Sequence, residues 1–142
     1  MILDKEQLFS DAQAITSTAN STNVIDLLKD RDIGVGHPVG VLIQVVTTMT
    51  AGGAATLTVT IETDDNVSFS SATVLYTSGA IAVADLIAGK RPWLLWFGAN
   101  NERYIRLVYT VATGPMTAGA VTAGLIEGFQ NWQAYADSLP AL

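Results

Sequence analysis

Between residues 40 and 128 apolar side chains recur at every second position in short runs, and Gly, Pro, Asn or Asp separates the runs. A period of two sends successive side chains to opposite faces of an extended backbone, so such a run buries one face only as a β-strand. Thr56 to Thr63 is the clearest case, with Leu57, Val59 and Ile61 on one face and Thr56, Thr58, Thr60 and Glu62 on the other. Arg103 to Val111 repeats it: Ile105, Leu107, Tyr109 and Val111 against Tyr104, Arg106, Val108 and Thr110. Val41 to Met49 is apolar on both faces, which predicts a strand covered on both sides, and the Ala51-Gly52-Gly53-Ala54 turn predicts a hairpin with Thr56 to Thr63. Shorter strands are expected at Val24–Leu28, Ala72–Thr77, Trp93–Phe97 (opened by Pro92) and Ala120–Glu127, after the Gly114-Pro115 turn. Residues 80–88 fit either a strand or a helical turn. Seven or eight short antiparallel strands with little helix predict an all-β sandwich or jelly roll.

The two ends lack this pattern. Residues 1–23 read as an N-terminal arm, 24–128 as the β-body and 129–142 as a C-terminal tail, all within one domain of 142 residues. In the arm, Asp4 to Phe9 fits one helical turn. Ala14 to Asn23 is too rich in Thr, Ser and Asn for helix, because those side chains compete for backbone hydrogen bonds, and an extended strip is expected. On this reading, removal of residues 1–15 leaves the body folded. The apolar residues of the ends, Ile2, Leu3, Leu8, Phe9, Phe129, Trp132 and Tyr135, together with Trp96, are the candidate interface. Each side chain of this kind contributes roughly 1.5–3 kcal/mol when fully buried.

Charged residues make up only 14% of the chain, against about 25% in typical domains, so much of the surface is neutral, as a partner-covered surface requires. The net charge of −6 argues against nucleic acid, which binds a basic footprint, although four of the seven bases, Lys90, Arg91, Arg103 and Arg106, lie close in sequence. Absence of cysteine excludes disulfides and thiolate metal sites. Met1-Ile2-Leu3-Asp4 has no basic stretch followed by a long apolar one, which predicts no secretory leader, and no apolar run reaches the roughly 20 residues of a membrane span.

Catalytic chemistry is sparse. His37 is the single histidine, and a metal-dependent jelly-roll enzyme needs several with a carboxylate. No Ser lies in a nucleophile pattern. Asp64, Asp65 and Asn66, with Glu62, form the densest acidic group, but neighbours in extended chain diverge, and a solvated Asx turn is expected in place of a calcium site. Gly34-Val35-Gly36 lacks the Lys-Ser or Lys-Thr of a phosphate loop. These residues predict no enzyme, no cofactor and no metal. A sugar-binding or host-adhesion sandwich, stacking glycans on Trp93, Trp96 or Trp132, is the alternative from a different class.

Three stretches in order carry a family resemblance: Met1-Ile2-Leu3-Asp4-Lys5, Leu8-Phe9-Ser10-Asp11-Ala12-Gln13-Ala14, and Ser21-Thr22-Asn23-Val24-Ile25-Asp26-Leu27, continued by Asp32-Ile33-Gly34-Val35-Gly36. They resemble capsid cement proteins of tailed bacteriophages, of the kind carried by the short-tailed Bordetella phage, most strongly over residues 1–45. The resemblance implies a jelly roll that is assembled in the host cytoplasm and decorates the outer capsid surface of the virion. It implies a homodimer, with a trimer as the alternative, that clamps neighbouring major capsid proteins. Nucleic acid and membrane are not expected partners.

Overall fold

The computed structural model describes residues 4–30, 33, 36, 39–96 and 101–127, with residues 93, 94 and 96 described through their backbone only. Nine strands lie in these residues: β1 Leu8–Ala14, β2 Ala19–Asn20, β3 Ile25–Asp26, β4 Val39–Ala51, β5 Thr56–Asp64, β6 Thr73–Ala82, β7 Trp93–Trp96, β8 Tyr104–Ala112 and β9 Met116–Glu127. They form two antiparallel sheets, ordered β1-β9-β4-β7 and β2-β8-β5-β6, with β3 also on β8. Counting β2 and β3 as one interrupted strand gives eight strands in two four-stranded sheets. Every connection except β5–β6 crosses from one sheet to the other, which is jelly-roll connectivity. Between the sheets the alternating residues do what their period demands: Leu57, Val59, Ile61, Ile105, Leu107 and Tyr109 have no exposed surface.

The arm expected over residues 1–23 is instead built into the sandwich from residue 8. Strand β1 is an edge strand on β9, with Leu8 opposite Gly124 and Ala14 opposite Ala120. Phe9 and Ile15 are completely buried in the core and Leu8 is buried at 9% exposure. Phe9 and Leu8 are therefore packing residues, not free interface anchors. Polar side chains close the seam between β1 and the opposite sheet. Asn23 donates its backbone N–H to the Phe9 carbonyl and its side-chain Nδ2 to the Leu8 carbonyl, at 2.9 and 3.1 Å. Thr22 donates its hydroxyl to the Phe9 carbonyl. Ser21 replaces a missing rung beside β8: its N–H reaches the Leu107 carbonyl, and its Oγ accepts from the Leu107 N–H. The polar run that rules out helix spends its hydrogen bonds on a neighbouring strand.

The expected helical turn at Asp4–Phe9 is a single 3-10 turn, Lys5–Gln7, capped by Asp4. β4 and β5 do not form the expected hairpin. The 51–55 connection, with Ala55 buried at 1% exposure, carries the chain from one sheet to the other. β4 is buried on both faces only at residues 40–43. After a register slip at Val45/Thr47 its residues 46–48 are exposed, Thr47 among them. Residues 80–88 satisfy both readings, since β6 continues to Ala82 and a 3-10 turn follows at Val83–Asp85. β9 begins at Met116, four residues before the expected start. Residues 128–142 lie outside the described residues, and with them the predicted tail.

Candidate docking groove

Beneath the core, Tyr109 is held by a buried relay. Its hydroxyl lies 2.8 Å from Ser10 Oγ, which donates to Gln13 Oε1 at 2.7 Å, and Gln13 Oε1 also accepts from the Thr22 N–H. Because Ser10 spends its proton on Gln13, Tyr109 is the donor to Ser10. Burial pushes the Tyr109 phenol up and the Ser10 bond only partly opposes it, so the ring stays neutral. This network fixes β1 to β8 and offers no nucleophile.

The acidic group at the end of β5 is placed differently from its expected solvated turn. Asp64 is fully buried. It accepts from the Asn66 and Ser71 amides, each at 2.8 Å, and so ties down the loop that follows. Burial would raise its pKa, but these donors, with Asp65 and the Ser71 hydroxyl, hold the carboxyl below its ordinary value. The bond from Asp65 to Asp64 raises Asp65, so the two carboxyls meet where divergence was expected. On the same loop Phe69, buried at a φ of +52°, lies under the Arg106 guanidinium at 4.0 Å, and Arg106 is paired with Glu62. The Asp64 contribution is present above the unfolded carboxylate value near 3.9 and is lost as pH falls through its lower folded value. Asp65 takes up its proton earlier and relieves repulsion. Thermal unfolding followed from pH 6 downward should show the wild-type advantage over Asp64→Asn shrinking steeply only at the acid end. Among the described residues no group of three or more His, Cys, Asp or Glu stands close enough to hold a metal. No helix there is long and apolar enough to cross a membrane.

The concave surface lies at one end of the sandwich, where β3, the start of β4 and the end of β9 meet the Lys5–Gln7 turn. Register places Val39 opposite Glu127 and Asp26 opposite Tyr104, so the two sheets end together here. A groove of about 390 Å³ is lined by Ile25, Leu27, Ile33, Val39, Leu125 and Ile126 together with Glu6, Gln7, Asp26 and Glu127. Its lip is Leu28, 74% exposed at a φ of +68°. A bulky side chain is rare in that left-handed region. Here it is held by a chain of bonds: the Leu28 N–H donates to Asp26 Oδ1 at 2.7 Å, and Asp26 receives Arg103 through both oxygens at 2.9 Å. The Arg103 guanidinium holds the Asp26 carboxyl below the usual carboxylate range. Lys29, Asp30, Asp65, Glu102 and Arg103 belong to loops at this same end, where β5 closes on Asp64, whereas the connections 52–55, 83–85 and 113–115 at the far end carry one charge, Asp85.

Of the residues expected to form an interface, Ile2, Leu3, Phe129, Trp132 and Tyr135 lie outside the described residues, as does His37. The side chain of Trp96 is likewise outside them. The sequence reading missed Leu28. It was placed at the end of an expected strand, Val24–Leu28, but β3 stops at Asp26 and leaves Leu28 in the turn beside Lys29 and Asp30. Comparison with curated proteins finds no match. A model of Bbp16, a family of Bordetella phage proteins, matches residues 9–125, from the first fully buried side chain of β1 to Leu125 near the end of β9. That match spans the whole sandwich, and the chain belongs to the Bbp16 family.

Proposed function

We propose that the protein is a non-enzymatic component of the phage virion that sits on the outer capsid surface and stabilises it by bridging neighbouring major capsid proteins. The observation that carries this reading is the family match across residues 9–125. The low charge and the groove bordered by an exposed leucine support it, since interface centres are depleted in charge and rich in apolar anchors. The protein works as a dimer, because twofold contacts are the commonest closed symmetry and a bridging protein gains from presenting two copies of one surface.

The test is co-sedimentation with capsids from phage lacking the protein. Wild-type protein should pellet with them and raise their resistance to heat or denaturant. Decoration should stay within a few-fold in a strong chelator and in His37→Ala, because apolar contacts and backbone pairing hold the complex. Absence of pelleting would remove the reading. Loss in chelator that calcium restores would replace its metal-free form and point to Asp64 and Asp65 first.

A further inference from the structure

We propose that two copies of this chain meet through the segment Asp85 to Arg91, set antiparallel to itself across a twofold axis; this rests on the dimer reading above. Beyond the stretch paired with β7, this segment takes up the edge of β4. Met49 donates its N–H to the Leu86 carbonyl at 2.9 Å and Val45 donates to the Lys90 carbonyl at 2.9 Å. The Ala88 N–H donates to Thr48 Oγ1 at 3.0 Å. Leu86 is fully buried in the core, and the other residues from Asp85 to Arg91 are exposed, Ile87 at 45%. The segment therefore lies beside β4 from Met49 to Val45, on the order of 13 Å of strand. Asp85 stands at one end of it, and Lys90 and Arg91 at the other. The side chains of these three have no partner among the described residues, whereas Arg103 and Arg106 are paired with Asp26 and Glu62. The order of acid, apolar residue and bases selects the occupant. Reversed against itself, it puts Asp85 of each protomer on Lys90 and Arg91 of the other, with Ile87 near the axis. A purely acidic or purely basic partner would leave one end of the segment against like charge. The strand that leads into the segment, β6, carries no charged residue from Thr73 to Ala82, so this flank adds no repulsion.

Sedimentation equilibrium at tens of micromolar protein and about 0.1 M salt, where close charges still act, tests this with two charge-reversed variants. One is Asp85→Lys; the other combines Lys90→Glu with Arg91→Glu. All three positions are exposed and bond to nothing through their side chains, so both variants should match the circular dichroism of wild type. Each alone should dimerise at least tenfold more weakly than wild type, because both ends of the interface then meet like charge. An equimolar mixture of the two should dimerise as wild type does. In the mixed pair the introduced base faces the introduced acids on one side of the axis, and the native contact survives on the other. If wild type is dimeric and either variant alone dimerises as tightly, or the mixture stays monomeric, the segment is not the interface and the dimer reading stands without it. If wild type is monomeric, the dimer reading falls and this inference falls with it.

Discussion

Phe9→Ala should lower the stability of this protein by about 3–5 kcal/mol, the range for deleting a fully buried aromatic ring. Phe9 has no exposed surface, sits in the central cluster with Ile15, Val41 and Leu107, and lies on an edge strand paired on one side with β9. The loss is a large part of the 5–15 kcal/mol that holds a typical domain. Removing residues 1–15 should go further. It takes away Phe9, Ile15 and Ser10 together, strips the hydroxyl partner from buried Tyr109, and leaves β9 with an unpaired edge. Loss of the cooperative thermal transition is expected. A truncated protein that kept a sharp transition near the wild-type temperature would restore the arm-like reading of these residues.

Gly119→Ala is the second large effect. The glycine has a φ of +143°, and a Cβ placed there would stand 2.4 Å from Met49 Cγ and 3.0 Å from Met49 Cα. The side-chain carbon can rotate away, but the Cα belongs to β4, so the β4–β9 pairing must shift. Together with backbone strain this should amount to about 2–4 kcal/mol. Gly114→Ala is the matched control. Its φ of +109° imposes strain too, but nothing lies within 4 Å of the added carbon. It should cost about 1–2 kcal/mol. Chemical denaturation of the pair separates conformational strain from collision. Equal losses would mean that Met49 moves freely and that the close approach does not constrain the sheet.

The strands with clean period-two alternation were legible because burial alone dictates that spacing. β5 shows it from Thr56 to Thr63 and β8 from Tyr104 to Thr110, and their inward apolar residues belong to the core. β1 was not legible for two reasons. Its buried face includes Ser10, a polar residue made tolerable only by Tyr109 and Gln13 from elsewhere in the chain. Its alternation is broken at Ala12, where φ is +46° and the N–H donates to Thr122 instead of continuing the ladder. One clue was present in the sequence: Tyr109 stands in the middle of an inward face, and a buried phenol needs a partner. The interruption between β2 and β3 was hidden because a hydroxyl replaces a backbone rung there, Ser21 at Leu107, as Thr18 does at Val111 just before β2. The groove was hidden because its walls come from residues 6 to 127, and no local window contains both.

The pairing of β1 with β9 also shapes the birth of the molecule. Leu8 to Ala14 is translated first among the described strands, and its partner, Ala120 to Gly124, is translated last. At about 5–20 residues per second the first strand waits on the order of ten seconds for the last. During that wait Phe9 has no core to enter, and the nascent chain shows an aromatic anchor and an unpaired β4 edge to the cytosol. Closure through such distant partners is slow, as in other β-sandwiches. A pulse-labelled chain should therefore remain protease-sensitive until β9 has emerged and then become resistant in one step. The same closure means that neither terminal strand can peel away without exposing the other's edge, so the sandwich opens from both ends of its sequence at once.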